Sequence, residues 1–392
     1  MIYLDSNATT RPTPEVLASM REILENDWGN PSSMHRMGQS ARRRVELARR
    51  SVASLLGATA REIVFTAGGT ESIDYAIRGA LAARRDPVKN VLITTGVEHA
   101  AVSKLASTLT ETGDVEVRLA PLLAGGVVDV EGLAGLIDER VAIVSIQWAN
   151  NETGARQPVE AIGALCKERG VTFHCDGTQQ VGKGPADVTS FPVDLVTCSA
   201  HKFHGPKGVG VLYVRRGVRI APVMHGSQEL GRRGGTENVA GITGMGVAAE
   251  QAREWLADPS HAERMAALRD GFEEAVCARV EGAVVNKPDG PDARLWNTAN
   301  IAFPRLEAEA LLMLLSEQGV CASAGSACAS GSLEASPVLM AMGLPEEHAH
   351  GSLRFSLSRE TTKEELDDAA EIIETSVARL RGSSSAALRE VH

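Results

Sequence analysis

The stretch VAIVSIQWANNETGARQPVEAIGALCKERGVTFHCDG, residues 141–177, decides the fold. It opens on a run dominated by β-branched side chains, Val141-Ala-Ile-Val-Ser-Ile146, and closes on a second, Val171-Thr-Phe-His-Cys175. Between them, residues 158–168 carry apolar side chains at helical spacing. Parallel strands cannot be joined by a tight turn and need a crossover of about this length, so the stretch predicts a strand–helix–strand unit. Polar residues follow directly after each run: Ala149-Asn-Asn-Glu152 and Asp176-Gly-Thr-Gln179.

The same alternation extends in both directions. Further runs are Glu62-Ile-Val-Phe-Thr66, Val91-Leu-Ile-Thr94, Val115-Glu-Val-Arg-Leu119, Asp194-Leu-Val-Thr-Cys198 and Val209-Gly-Val-Leu-Tyr-Val214, with a further crossover helix over 72–84. Seven strands in this rhythm predict an α/β domain with a mostly parallel sheet. A helical stretch over 244–280, interrupted near Asp258-Pro259, leads to a second domain. That domain holds strands at 298–303 and 352–356, a helix over 308–318 and a final helix over 363–381. The expected division is an N-terminal segment 1–14 that joins the small domain, a large domain 15–255, a small α+β domain 256–382 and a disordered tail 383–392.

Composition narrows the function. The chain has 392 residues, of which 43% are hydrophobic, enough to bury a substantial core. The net charge of −10 points away from nucleic acid. The basic run Ala41-Arg-Arg-Arg-Val-Glu-Leu-Ala-Arg-Arg50 mixes its charges with apolar residues at helical spacing, so it reads as a solvated helix face. No apolar run is long enough to span a membrane, and the first ten residues do not read as a secretory leader, so the expected location is the cytoplasm. Cysteines at 166, 175, 198, 277, 321 and 328 show neither a C-x-x-C pair nor a zinc spacing, and are expected to be free thiols.

In parallel sheets, ligands sit beyond the carboxyl ends of the strands. There the sequence places Ala67-Gly-Gly-Thr-Glu-Ser72, a glycine turn into a helix whose N-terminal amides and Thr70 hydroxyl make an anion cradle, or simply a capped turn. Glu98-His99 follows the second strand and Ser199-Ala-His-Lys-Phe-His-Gly-Pro-Lys207 the sixth. A lysine beside a phosphate cradle and a carboxylate is what pyridoxal phosphate requires. Lys202 is the candidate, with Lys183 and Lys207 as rivals.

These residues together resemble the group I cysteine desulfurases of the NifS/IscS type. The likeness runs from Tyr3-Leu-Asp to about Leu380 through Ala8-Thr-Thr10, Gly29-Asn-Pro-Ser-Ser33, Asn150-Asn-Glu-Thr-Gly154, Gly205-Pro-Lys-Gly208, Gly235-Thr-Glu-Asn238, Gly325-Ser-Ala-Cys328 and Arg354-Phe-Ser-Leu-Ser358. Trp148-Ala-Asn-Asn-Glu-Thr-Gly and Asn297-Thr-Ala-Asn-Ile-Ala-Phe lean toward NifS. The resemblance implies a fold type I, aspartate aminotransferase-like pyridoxal-phosphate enzyme. It implies Lys202 as the lysine that holds the cofactor covalently, Asp176 as partner of the pyridine nitrogen and His99 stacked on the ring. Gln179 and Asn151 would lie near the ring hydroxyl, with Asn151 also near the substrate. Gly69, Thr70, Ser199 and His201 would hold the phosphate, and Thr236 would reach the phosphate site of a second subunit in a homodimer. Arg354 would bind the substrate carboxylate.

The implied reaction turns L-cysteine into alanine and leaves the sulfur as a persulfide on Cys328, with Lys202 moving the Cα proton and His99 serving the thiol. A sulfur-acceptor or iron–sulfur scaffold protein would then take the sulfur. No membrane, nucleic acid or resident metal is implied; Cys328 is the place where an iron–sulfur unit could sit in passing. The family has one more glycine and an arginine where Leu230 stands, threonine at Ala329 and alanine at Gly177. The run Cys321-Ala-Ser-Ala-Gly-Ser-Ala-Cys328-Ala-Ser-Gly-Ser332 offers little apolar surface, so Cys328 is expected to be exposed and mobile and Cys321 buried. Other readings are a selenocysteine lyase or another lyase or aminotransferase of this fold, a catalytically silent sulfur-transfer scaffold, and a thiol hydrolase.

Overall fold

The computed structural model describes residues 1–84, 86–290, 293–325 and 335–389. A short strand β1 (Ile2–Tyr3) precedes the large sheet, which is built from β2 (Ile63–Thr66), β3 (Val91–Thr94), β4 (Glu116–Leu119), β5 (Val141–Gln147), β6 (Thr172–Asp176), β7 (Leu195–Ser199) and β8 (Gly210–Val214). The order across the sheet is β2-β8-β7-β6-β5-β3-β4. Only β8 runs against its neighbours β2 and β7, so six strands point the same way and their carboxyl ends share one edge. Close packing at that edge needs glycine: a Cβ on Gly210 would stand 2.5 Å from the Gly68 carbonyl carbon.

Helices α1 (Pro14–Asn26), α2 (Arg36–Leu55), α3 (Gly69–Ala83), α4 (Ala100–Glu111), α5 (Val130–Leu136), α6 (Val159–Arg169) and α7 (Val239–Leu256) cover the sheet. The strands are buried on both faces, as Val, Ile and Leu side chains throughout β2, β3 and β5 demand. The long helical stretch expected over 244–280 is two helices, α7 and α8 (Pro259–Arg279), broken where Asp258 caps and Pro259 starts the second.

A second core gathers around the antiparallel sheet of β9 (Val284–Val285), β10 (Thr298–Ala302) and β12 (Ser352–Ser356), with β11 (Val320–Cys321) paired to β1. It is completed by α9 (Ala308–Glu317), the one-turn helices α10 (Pro337–Ala341) and α11 (Glu346–His350), and α12 (Lys363–Arg389). The last helix therefore passes Gly382, where composition suggested a tail. Once a helix exists, adding Ala, Leu and Arg residues costs little, whereas the serines alone argued for fraying. No described helix is long and apolar enough to cross a membrane.

Candidate active site

The carboxyl edge of the large sheet, the N-terminal segment and β12 together enclose a cavity of about 270 Å³. Ten sequence-nominated residues line it: Gly69 and Thr70 after β2, His99 after β3, Asn151 after β5, Asp176 and Gln179 at the end of β6, Ser199, His201 and Lys202 after β7, and Arg354 from β12. The fold thus brings together residues up to 285 positions apart, from Gly69 to Arg354.

Lys202 Nζ donates to the carbonyls of Asn7 (2.6 Å) and Ala8 (3.0 Å). Its rival Lys183 is fully buried behind the cavity wall and donates to Asn7 Oδ1 (2.7 Å) and Gln179 Oε1 (2.5 Å). Burial pushes the Lys183 ammonium well below its ordinary range, and the Lys202 and Arg354 cations add to the effect. Lys207 is exposed and does not line the cavity.

Asp176 Oδ1 accepts from the Thr178 amide and the Thr197 hydroxyl, both at 3.0 Å. His99 caps α4: its Nδ1 accepts from the Ala101 amide at 3.1 Å, which leaves the proton on Nε2. Burial holds its imidazole below the ordinary value, with Asp176 opposing and Lys202 and Arg354 reinforcing. His201 is pushed down to about 4, again by burial first and then by Lys202, Lys207 and Lys183. Arg354 is 2% exposed; it donates from Nη2 to Asp5 Oδ1 (2.7 Å) and from Nη1 to the Asn151 carbonyl (3.1 Å), while its Nε finds no partner among the described residues.

Three nominated features fall elsewhere. Cys328 lies outside the described residues. Thr236 is exposed and does not line this cavity. Cys321 is half-buried rather than buried, because β11 is an edge strand paired only to β1. The loop leading to Thr236 is firmly tied. Glu229 and Leu230 both have positive φ (49° and 61°), and Glu229 is held by two bonds from Arg49 (2.7 and 2.8 Å) and one from the Phe65 amide (3.0 Å). Arg49 therefore leaves the solvated face expected of the basic run, whereas Arg42, Arg43 and Arg50 are exposed as expected.

Asn7 was not singled out by the sequence; Asp5 and Thr178 stood inside quoted stretches without a role, and Lys183 was named only as a rival to Lys202. Asn7 is the hub: besides Lys202 and Lys183 it bonds Ser356, Asn151, Thr298, Gln179 and Asn297. Only a three-dimensional register could reveal it, since its partners lie up to 349 positions away. Thr178 stood inside a quoted strand-end stretch, so its signal was present.

The class-V aminotransferase family matches residues 2–368 of the chain. Cysteine desulfurase 2 of Trichormus variabilis is 47% identical over 98% of this chain and 95% of its own length. NifS of Azotobacter vinelandii, also a cysteine desulfurase, is 46% identical over 98% of this chain and 94% of its own. The chain belongs to the cysteine desulfurase family. A solved NifS-like protein superposes with a TM-score of 0.88 at 38% identity, covering 97% of this chain and all of the other. The expected fold type I architecture is thereby shown, and the family's cofactor is pyridoxal phosphate.

The residues present fit that cofactor. Beside Gly69 there is room that a side chain would take: a Cβ there would stand 3.3 Å from Thr178 Oγ1 and 3.6 Å from Ser199 Cβ. Thr178 Oγ1 and Asn151 Oδ1, on two cavity-lining residues, are buried without a partner among the described residues, and Thr178 Oγ1 stands beside Gly69 at the start of α3. A polar ligand with a phosphate group would satisfy them.

Proposed function

We propose that this chain is a pyridoxal-phosphate-dependent cysteine desulfurase that converts L-cysteine to L-alanine and leaves the sulfur on Cys328. The observation that carries the reading is one cavity in which Lys202, Asp176 and Arg354 meet an anion cradle. Gly69, Thr70, Thr178, Ser199 and His201 would hold the phosphate, Asp176 the pyridine nitrogen and His99 the ring face, with Gln179 and Asn151 at the ring hydroxyl. Pyridoxal phosphate supplies the electron sink that makes the substrate Cα–H acidic. Lys202 carries that proton, within reach of the Asn7 and Ala8 carbonyls that position its amine. Arg354 takes the substrate carboxylate, for which its planar fork and its Nε, without a partner among the described residues, suit it.

Sulfur transfer needs a thiolate on Cys328. Its sulfur attacks the substrate sulfur, an S–S bond forms and the Cβ–S bond breaks. The electron pair stays with carbon and is protonated to the methyl group of alanine, so one cysteine and one thiol give alanine and one persulfide. His99, neutral with its proton on Nε2, is placed to exchange a proton with groups in the cavity.

A homodimer would complete the site. Thr236 and Leu230, the latter 77% exposed, stand on the loop tied through Glu229, and Thr236 would reach a neighbouring subunit's phosphate site. A sulfur-acceptor or iron–sulfur scaffold protein would collect the persulfide in the cytoplasm. The five free thiols among the described cysteines suit a reducing compartment.

The test is to supply the cofactor-loaded protein with L-cysteine and measure alanine. Alanine should form, and Lys202→Ala should lower its rate about a thousandfold or more and remove the covalent cofactor absorption. Alanine formation unchanged in Lys202→Ala would overturn the reading.

A further inference from the structure

Behind Asp176 the sheet carries a line of buried polar side chains that none of the steps above uses. Ser145 on β5, His174 on β6 and Thr197 on β7 lie on adjacent strands, with Ser145 opposite His174 and Thr197 opposite Asp176. All three are buried at 0% exposure. Ser145 Oγ and His174 Nδ1 are 2.8 Å apart, His174 Nε2 and Thr197 Oγ1 3.3 Å, and Thr197 Oγ1 and Asp176 Oδ1 3.0 Å.

The direction of these bonds is determined. A carboxylate only accepts, so the Thr197 hydroxyl must donate to Asp176. Its oxygen is then left to accept, and the donor must be His174 Nε2–H. A neutral imidazole with its proton on Nε2 accepts at Nδ1, so Ser145 donates there. Neutrality agrees with the environment, because burial pushes the His174 imidazole far down and Asp176 only partly opposes it. Every donor in the line points toward Asp176. Together with the Thr178 amide, two donors fix Oδ1, and Oδ2 has no hydrogen bond among the described residues. Backbone packing holds the line in place: a Cβ on Gly177 would stand 3.1 Å from the Thr197 carbonyl and 3.0 Å from Val196 Cγ1. This chain's glycine at that position thus lets β6 and β7 close over the line.

We propose that Ser145, His174 and Thr197 form a one-way hydrogen-bond relay that fixes the orientation of the Asp176 carboxyl, with Oδ2 presented to the cavity. The relay fixes how firmly the site grips a protonated pyridine nitrogen. It rests on the reading of Asp176 as that nitrogen's partner. The three are positioning residues, acting through Asp176 alone. Aligned bonds in a low-dielectric interior strengthen one another, and a bond to a charged acceptor is worth more than a neutral one.

Thr197→Val keeps the shape and removes the hydroxyl. In the loaded holoprotein it should release cofactor on dialysis about tenfold faster than wild type, with the melting curve otherwise retained. Thr197→Ser should restore wild-type release, and Ser145→Ala, one bond further from Asp176, should speed release only about threefold. Nitrogen-15 spectra of histidine-labelled holoprotein should show His174 neutral with its proton on Nε2, a signal that Thr197→Val displaces. Asp176→Asn is the reference and should release cofactor faster than any of these. Wild-type release from Thr197→Val alongside fast release from Asp176→Asn would overturn the relay alone. A charged His174, or one protonated on Nδ1, would do the same. Wild-type release from Asp176→Asn would overturn the reading of Asp176, and the relay with it.

Discussion

The cavity wall and the stem of the thiol-bearing segment are built in opposite ways. In the wall, the single residue Asn7 ties the N-terminal segment to the loop after β5, to β10, to β12 and to both lysines, and each of its polar atoms is used. At the stem, Gly325 and Ser336, which bracket Cys328 in sequence, meet at one buried carboxyl, that of Glu152. Ser336 Oγ donates to Glu152 Oε2 at 2.6 Å, a Cβ on Gly325 would stand 2.7 Å from the same oxygen, and Glu152 Oε1 has no partner among the described residues. Chemistry at a ring and a Cα proton demands fixed geometry, and many cross-ties provide it. A thiol that collects sulfur and hands it on needs only a defined point of departure.

The sharpest way to break the contrast is to remove the hub. Asn7→Ala strips acceptors from the buried Lys183 ammonium and from Asn297. It should cost about 3–4 kcal/mol in urea unfolding and most of the cofactor retention; a loss under about 1 kcal/mol would show that the wall does not depend on it.

Acid should act on the two regions with opposite sign. His174, His201 and His204 are each pushed down to about 4, burial being the largest cause, so the unfolded chain binds more protons between pH 4 and about 6.5. Their stabilisation is complete above that window and falls as the pH drops through it, by roughly 3 kcal/mol in sum between pH 7 and 5.5. Glu152 is raised by burial, against the Ser336 bond and Arg354, so the folded state takes up its proton more readily and its contribution grows as the pH falls. Hydrogen exchange across this range should therefore quicken in β6 and β7 relative to Ser336 and Leu339. Uniform quickening would contradict the division.

Two smaller effects separate the regions by function. Arg354→Lys keeps the charge but loses the fork, and should raise the KM for cysteine about tenfold with cofactor content unchanged. Gly325→Ala puts a methyl where φ is +65° and Glu152 already stands. It should slow turnover several-fold, again with cofactor absorption unchanged, at a stability cost of about 1 kcal/mol.

The sequence exposes this architecture unevenly. Seven β-branched runs announce the large sheet, and the strand-end rule then places Thr70, His99, Asn151, Asp176 and Lys202 on one edge without further information. Arg354 came from resemblance alone, since β12 belongs to another sheet. Ser145, His174 and Thr197 lie inside runs that read simply as strand, and their meaning depends on register, which periodicity does not supply. Arg49 looked like one more solvated arginine because Glu229, its partner, is 180 positions away.

The central claim, that sulfur leaves cysteine for Cys328, is tested most directly by mass spectrometry of the loaded protein after L-cysteine, with alanine counted in the same sample. One persulfide on Cys328 for each alanine in the first turnover, and neither in Cys328→Ser, is the expected result. Alanine formed without persulfide on Cys328, or at an undiminished rate in Cys328→Ser as a selenocysteine lyase would allow, would contradict it.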